Sequence, residues 1–308
     1  MSQLSSVLLL GAGELGTAIL SGLAKKYTLG SIQLALCLRP QTISDTKKTQ
    51  RLRDLASPHT LELVSGDLGS DSAAELATKF ARFDVVIGCT GYAAGRGTQV
   101  KICEAVLKAG VKRYFPWQFG GDYDAIGRGS AQDLFDEQLD VRDMLRAQDK
   151  TRWVIISTGM FTSFLFDDSF GLVERKEDGE IVVRGLGSWE NRITVTAVED
   201  IGRITAEVAI DESIEGVVYG AGETITCERL AQLVEAAMGK DARVTRELWT
   251  LDQLREALRQ DPLNPLKKYR VIFAEGKGVS WDIERTINYQ RGIDTTDVAR
   301  WLKLHAIN

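Results

Sequence analysis

Short apolar runs alternate with longer amphipathic stretches through the first half of this 308-residue chain. The runs SVLLLG, IQLALCLR, LELVSGDL, DVVIGCTG and KRYFPW have the length and composition of buried strands, and helical patterns separate them. Parallel strands need crossover helices, so this alternation predicts an α/β fold with a doubly wound parallel sheet. Two later runs, WVIISTG and GVVYGAG, are expected to rejoin the same sheet.

The pattern becomes mixed after Gly159. An aromatic segment, MFTSFLFDDSFG, is followed by a hairpin-like stretch, ERKEDGEIVVRG, and by a helical stretch, CERLAQLVEAAMG. This half predicts a smaller C-terminal α+β subdomain. We therefore expect a first domain at 1–158 and a subdomain at 159–308, interleaved because the strands near 153–158 and 216–221 return to the first sheet.

Composition excludes several classes of protein. Hydrophobic residues make up 44% and charged residues 26% of the chain, as in ordinary globular proteins, and no apolar stretch approaches the ~20 residues of a membrane span. The N-terminal MSQLSSVLLL lacks the basic segment of a signal peptide, which predicts a cytoplasmic protein. The net charge is −5 and the densest basic stretch, KKTQRLR, is short, so nucleic acid is not an expected partner.

The reactive side chains indicate neither metal nor hydrolase chemistry. Four cysteines lie apart without a C-x-x-C pair, and the chain has only two histidines. This spacing predicts no disulfide and no metal site. Ser130 and Ser157 have no plausible histidine partner, which argues against a hydrolase triad.

The tetrapeptide GAGE occurs twice, at Gly11 and at Gly220. The first copy continues as Gly11-x-Gly13-x-x-Gly16 between an apolar run and a helical pattern, which is the dinucleotide-binding arrangement of a Rossmann-type sheet. There the glycines allow a tight turn, a close approach of a pyrophosphate and close helix packing. The second copy lacks the third glycine and is predicted to be a turn before a helix capped near Thr226.

The predicted second strand ends at Arg39, where dinucleotide folds often place an acidic residue that binds the ribose hydroxyls. An arginine attracts a 2′-phosphate, and Lys48 follows on the next loop. These residues favour NADP(H) as the cofactor. The alternative is that Arg39 is a surface residue that only follows a strand.

Three further segments, VKRYFPWQFGGDYD, VEDIGRITAEV and TINYQRGIDTTDVARWL, extend the pattern. Together with the glycine loop they resemble the NmrA-like and isoflavone-reductase-like branch of the atypical short-chain dehydrogenases, from residue 4 to about residue 302. The resemblance implies a Rossmann domain, NADPH and a substrate pocket made by the C-terminal subdomain. It also implies cofactor contacts, beyond those named above, from Glu14, Leu15, Cys89, Thr90, Gly91, Trp117, Gln118 and Phe119.

The chain departs from that family at the expected proton donor. The Tyr-x-x-x-Lys pair of ordinary short-chain dehydrogenases is absent, and the lysine of the related reductases is matched by Gln138. An amide does not give up a proton at neutral pH, although it donates hydrogen bonds. Gln138, at the position of that lysine, and Asp122, whose carboxylate would steady a cationic substrate, are the candidate catalytic residues.

The predicted substrate pocket is aromatic. Its candidate residues are Trp117, Tyr123, Asp124, Met160, Phe161 and Phe164. Aromatic faces and carboxylates together suit a flat or cationic ligand. The competing interpretation is that some of these rings fill the seam between the subdomains, and that Cys89 is a core residue rather than a reactive thiol.

Two functions agree with these features. The first is an NADPH-dependent reductase or redox tailoring enzyme of secondary metabolism, acting on an aromatic or heterocyclic small molecule of iminium type and coupled to cyclisation. The second is a non-catalytic, NADP(H)-sensing regulator that binds a protein partner. The sequence gives no indication of the oligomeric state.

Overall fold

The computed structural model describes residues 4–91, 95–239 and 242–305. Within them, one sheet contains seven strands: β1 (Ser6–Leu10), β2 (Gln33–Leu38), β3 (Leu61–Ser65), β4 (Val85–Gly88), β5 (Arg113–Phe115), β6 (Arg152–Ser157) and β11 (Gly216–Tyr219). Their order is β11-β6-β5-β4-β1-β2-β3, and β1 to β6 pair in parallel. The strand order reverses between β1 and β4, so the predicted doubly wound α/β fold is confirmed.

Helices connect these strands as crossovers. They are α1 (Glu14–Lys26), α2 (Pro40–Ser44), α3 (Thr46–Ala56), α4 (Ala73–Phe80), α5 (Thr98–Ala109), α6 (Tyr123–Ile126), α7 (Leu134–Arg146) and α8 (Val198–Val208). Helices α1 and α8 cross closely, because a Cβ atom on Gly22 would lie 2.4 Å from the carbonyl oxygen of Gly202. Every residue of β1, β4 and β5 is buried, so the hydrophobic core of this part of the chain lies on both faces of the sheet.

Two compact units divide the chain. The first contains Met1–Phe119, Glu137–Ile156 and Val198–Val218, and the second contains Gly120–Asp136, Ser157–Ala197 and Tyr219–Asn308. Segments 120–136 and 198–218 thus group with parts of the chain that are remote in sequence.

The second unit contains two smaller sheets within the described residues. Their strands are β7 (Met160–Phe161), β8 (Val173–Arg175), β9 (Ile181–Leu186), β10 (Arg192–Thr196), β12 (Glu223–Thr226) and β13 (Val244–Trp249), in the orders β12-β10-β7 and β13-β9-β8. Strands β8 and β9 form the predicted hairpin. The helices are α9 (Cys227–Met238), α10 (Leu251–Gln260), α11 (Pro265–Glu275), α12 (Ile287–Gln290) and α13 (Val298–His305), with 3₁₀ turns at Thr162–Phe166 and Ile283–Arg285. None of the described helices is long and apolar enough to cross a membrane.

The second GAGE copy lies between β11 and β12, as a turn. A Cβ atom on Gly222 would lie 2.5 Å from the carbonyl oxygen of Thr296, so close backbone packing explains this glycine. Thr226 caps α9, and its hydroxyl accepts a hydrogen bond from the Arg229 N–H. The predicted cap at Thr226 is confirmed, whereas the turn leads into the short strand β12 rather than directly into the helix as predicted.

Candidate functional site

Each glycine of the first copy has a separate structural reason. Gly11 has φ +105°, a left-handed conformation that side chains disfavour. A Cβ atom on Gly16 would lie 2.2 Å from the carbonyl oxygen of Gly11, so only glycine allows α1 to start this close to the loop. A Cβ atom on Gly13 would meet no atom within 4 Å, because that position faces open space. The loop therefore combines a tight turn, close packing and an approachable backbone.

The N-terminus of α1 follows this loop directly. Gly13 is the N-cap residue of α1, and among the described residues no side chain accepts a capping hydrogen bond from the N–H groups of the first turn. Glu14 is exposed in the first turn, whereas Leu15 is 5% exposed and belongs to the core. Such a helix terminus favours an anionic ligand.

An open groove of about 490 Å³ runs along the carboxyl ends of β1 to β4 in the first unit. Its lining comes from Gly11, Ala12, Gly13, Cys37, Leu38, Arg39, Thr42, Lys48, Gly66, Asp67, Leu68, Gly69, Cys89, Thr90 and Gly91. Most of the candidate cofactor residues thus meet in one groove. Glu14, Leu15, Gly16, Trp117, Gln118 and Phe119 are not part of this lining.

Arg39 and Lys48 form the basic side of the groove. Arg39 is exposed, follows β2 directly and is the N-cap residue of α2. Lys48 is exposed in the first turn of α3, where its backbone N–H donates to the Asp45 carboxylate at 3.0 Å. These two cationic side chains along one side of the groove suit an anionic group of a ligand.

Sequence reasoning missed the contribution of β3 to the groove. Gly66, Asp67, Leu68 and Gly69 line it, and the Gly69 N–H donates to the Asp67 carboxylate at 2.9 Å in a tight turn. The signal was present in LELVSGDL, because parallel neighbouring strands end at the same edge of a sheet. Thr42 was missed as well, and no comparable pattern points to it.

The groove ends at Cys89, Thr90 and Gly91, after β4. The Thr90 hydroxyl donates to the Leu10 carbonyl at 2.8 Å and ties this loop to β1. Burial raises the pKa of the Cys89 thiol far above its usual range, and it raises the pKa of Cys37 to about 11. Neither thiol is a thiolate at neutral pH, which favours the core interpretation of Cys89. Among the described residues, no three metal-ligating side chains cluster.

The FPWQFG segment follows β5, the next strand in the sheet. Trp117 is half-buried, and its indole lies against Gly91, where an added Cβ would be 2.8 Å from Cζ2. Gln118 is 1% exposed, and its amide bonds at both ends inside the protein: Nε2 donates to the Gln138 carbonyl and Oε1 accepts from Arg142 Nε, each at 2.8 Å. Among the three candidate residues Trp117, Gln118 and Phe119, the side chain of Trp117 is thus the one that lies beside Gly91 in the groove lining.

The two candidate catalytic residues have opposite surroundings. Gln138 in α7 is fully buried, and neither end of its amide has a hydrogen-bond partner among the described residues. Asp122, in the second unit, caps α6 and accepts hydrogen bonds from the Ala125 N–H at 3.3 Å and the Tyr219 hydroxyl at 2.7 Å. The Asp122 carboxylate therefore has a structural task of its own.

Two of the predicted aromatic residues of the second unit, Tyr123 and Phe164, lie in one cluster. Ring centroids are 4.5 Å apart for Tyr123 and Phe135, 5.8 Å for Phe135 and Tyr269, and 6.5 Å for Tyr269 and Phe164. Phe135 and Tyr269 were missed, since each is an isolated aromatic residue in a polar stretch. Of the other candidates, Met160 is buried in β7, Phe161 is partly exposed beside it, and Asp124 is exposed.

Comparison with known proteins finds close relatives over nearly the whole chain. An NmrA-like family domain-containing oxidoreductase of Gibberella moniliformis is 45% identical over 97% of both chains. An isoflavone reductase homolog of Solanum tuberosum is 26% identical over 97% of this chain and 94% of its own. The structure of AtPrR2 with NADP+ and (+)pinoresinol superposes with a TM-score of 0.78 at 19% identity, over 99% of both chains.

The family model gives the same result. The model of the NmrA-like family matches residues 6–275, which include the glycine loop, the groove and the FPWQFG segment. The predicted resemblance is thereby confirmed, and the chain belongs to the NmrA-like family.

Proposed function

We propose that this protein is an NADP(H)-dependent oxidoreductase. The observation that carries the proposal is the groove of the first unit, in which a glycine loop at a helix N-terminus and a cationic side chain after β2 line the same space. The first of these features suits a pyrophosphate and the second suits a 2′-phosphate. The names of the relatives, an oxidoreductase and an isoflavone reductase homolog, support the same class.

The residues present fit this cofactor. Gly11, Gly13 and the first turn of α1 would hold the pyrophosphate, and Arg39 with Lys48 would bind the 2′-phosphate. Bound NADPH supplies a hydride. If Arg39 and Lys48 hold the 2′-phosphate, the adenosine end would lie at β2 and β3, and the nicotinamide half would extend toward the ends of β4 and β5, where Gly91 and Trp117 lie.

The substrate of this proposal is an aromatic or heterocyclic small molecule. Its support is the aromatic cluster around Tyr123, Phe164 and Tyr269 in the second unit. The structural neighbour AtPrR2 was solved with an aromatic compound, (+)pinoresinol, bound to it. A flat apolar ligand gains most from such surfaces.

Cofactor and substrate binding should be coupled. The nicotinamide would form one wall of the substrate pocket, so flat aromatic compounds should bind at least about fivefold more tightly when NADPH is present. Trp117→Ala should remove this coupling while leaving the affinity for 2′,5′-ADP unchanged, because the adenosine end would bind elsewhere in the groove. Calorimetry of an aromatic library with and without NADPH measures both effects.

One observation favours a second function, a non-catalytic NADP(H) sensor. Position 138 carries a buried amide instead of a proton-donating lysine. If no aromatic ligand binds in either cofactor state and a stable protein partner is isolated instead, the sensor replaces the enzyme.

The finer proposal concerns the charge of the substrate. Hydride transfer to a neutral ketone develops an oxyanion that needs a proton source, whereas transfer to an iminium neutralises an existing cation and needs none. In such a reaction, Gln138 only positions the substrate. We place the reaction in secondary metabolism. The site would also guide a cyclisation of the substrate by holding the reacting atoms close together. Asp124 and the aromatic faces would stabilise the cation, whereas Asp122 is already bonded to Tyr219.

Gln138→Met should separate stability from turnover. An apolar side chain of similar shape removes two unpartnered buried polar groups, so the free energy of unfolding should stay equal or rise by about 1 kcal/mol, while turnover falls only modestly. Gln138→Lys should not raise turnover, because a second cation repels the substrate. Chemical unfolding and steady-state kinetics test this; a large gain in turnover with lysine would contradict it.

A further inference from the structure

Helix α7 holds the start of α5 through a buried carboxylate. Glu137 is 8% exposed, and it accepts hydrogen bonds from the backbone N–H groups of Gly97 at 3.0 Å, Gln99 at 2.7 Å and Val100 at 3.4 Å. These are the donors at the N-terminus of α5, which a carboxylate satisfies well. Gln99 in turn donates its Nε2 to the Thr90 carbonyl at 2.9 Å. Glu137 thereby fixes the start of α5 and, through Gln99, the end of the groove.

The same helix holds the loop after β5 through a buried guanidinium. Arg142 is fully buried, and its Nε donates to Gln118 Oε1 at 2.8 Å. The other end of that amide donates to the Gln138 carbonyl, so Gln118 is clamped between two points of α7. The guanidinium is planar and rigid, so its Nε donor defines the position of the Gln118 amide.

Both segments lie near the end of the groove toward which the nicotinamide half would extend: Thr90 and Gly91 line the groove, and the Trp117 indole lies against Gly91. Thr90 and Gly91 follow β4, Trp117 and Gln118 follow β5, and all lie in the first unit. We infer that Arg142 and Glu137 are positioning residues for the nicotinamide half of the cofactor, Arg142 through Gln118 and Glu137 through the start of α5. This inference rests on the proposed function, because it presupposes that NADP(H) binds in the groove.

The test compares the whole cofactor with its adenosine half. Calorimetry should measure the affinities of the unmodified protein, Arg142→Met, Gln118→Met and Glu137→Gln for NADPH and for 2′,5′-ADP. We expect each variant to bind NADPH about tenfold more weakly while its affinity for 2′,5′-ADP stays unchanged. Arg142→Lys keeps one donor for Gln118 and should recover part of the loss.

Arg113→Met provides the matched control. Arg113 is equally buried in the same unit, and it donates Nη2 to the carbonyls of Val208 at 3.1 Å and Ile214 at 2.8 Å, at the amino end of β5. This variant should lower the Tm without changing the ratio of the two affinities.

The possible outcomes distinguish a failure of this inference from a failure of the proposed function. The inference is overturned if Arg142→Met and Gln118→Met weaken both ligands equally, or change the ratio no more than Arg113→Met does. Should Arg142→Met not fold, Gln118→Met and Glu137→Gln decide the matter. If the unmodified protein binds neither ligand, the proposed function fails, and this inference with it.

Discussion

A Gly16→Ala variant is expected to lose about 3 kcal/mol of folding free energy and all measurable cofactor binding. The added Cβ would lie 2.2 Å from the Gly11 carbonyl oxygen and 3.3 Å from the Cβ of Cys89, and neither a backbone carbonyl nor a buried strand end can move aside cheaply. Helix α1 would have to shift away from β1 and take the glycine loop with it. Thermal and chemical unfolding measure the loss.

Gly13→Ala is the matched comparison in the same loop. Its Cβ would meet no atom within 4 Å, and φ is −77°, so the free energy of unfolding should change by less than about 1 kcal/mol. The methyl group would project into the space that a pyrophosphate needs, and NADPH affinity should fall at least about tenfold. Unchanged NADPH affinity in a folded Gly13→Ala protein would contradict the placement of the cofactor.

Much of the fold was predictable because its signals are local. The strands β1 to β6 are short apolar runs buried in the sheet, and crossover helices between such runs require a parallel arrangement. The grouping of segment 120–136 with the second unit and of helix α8 with the first was not predictable in the same way. It depends on contacts between residues far apart in sequence, such as the close approach of Gly22 and Gly202, which no local pattern encodes.

The candidate site likewise has parts that local sequence patterns predict and parts that they do not. The places of the glycine loop and of Arg39 in the groove could be predicted from their spacing alone, since each follows a predicted strand. The environment of Gln118 could not, because its hydrogen bonds to Arg142 and to the Gln138 carbonyl join separate elements. The likeness of sequence around FPWQFG suggested that Gln118 faces the cofactor, whereas the structure directs its amide inward.

Arg39→Asp should reverse the preference for the cofactor. A charge-assisted contact between Arg39 and the 2′-phosphate is worth about 1.5–3 kcal/mol, or about ten- to a hundredfold in affinity, and an aspartate would repel the phosphate and bind the ribose hydroxyls instead. The side chain is exposed, so the substitution should leave the Tm nearly unchanged. Arg53→Asp, an exposed arginine in the last turn of α3 that does not line the groove, is the control and should keep the preference for NADPH.

The central claim is that the groove binds NADP(H), and calorimetric titration of the unmodified protein with NADPH and NADH tests it most directly. The groove geometry predicts an affinity for NADPH that is about ten- to a hundredfold higher than that for NADH. Equal affinities for the two cofactors, or no binding of either, would contradict it.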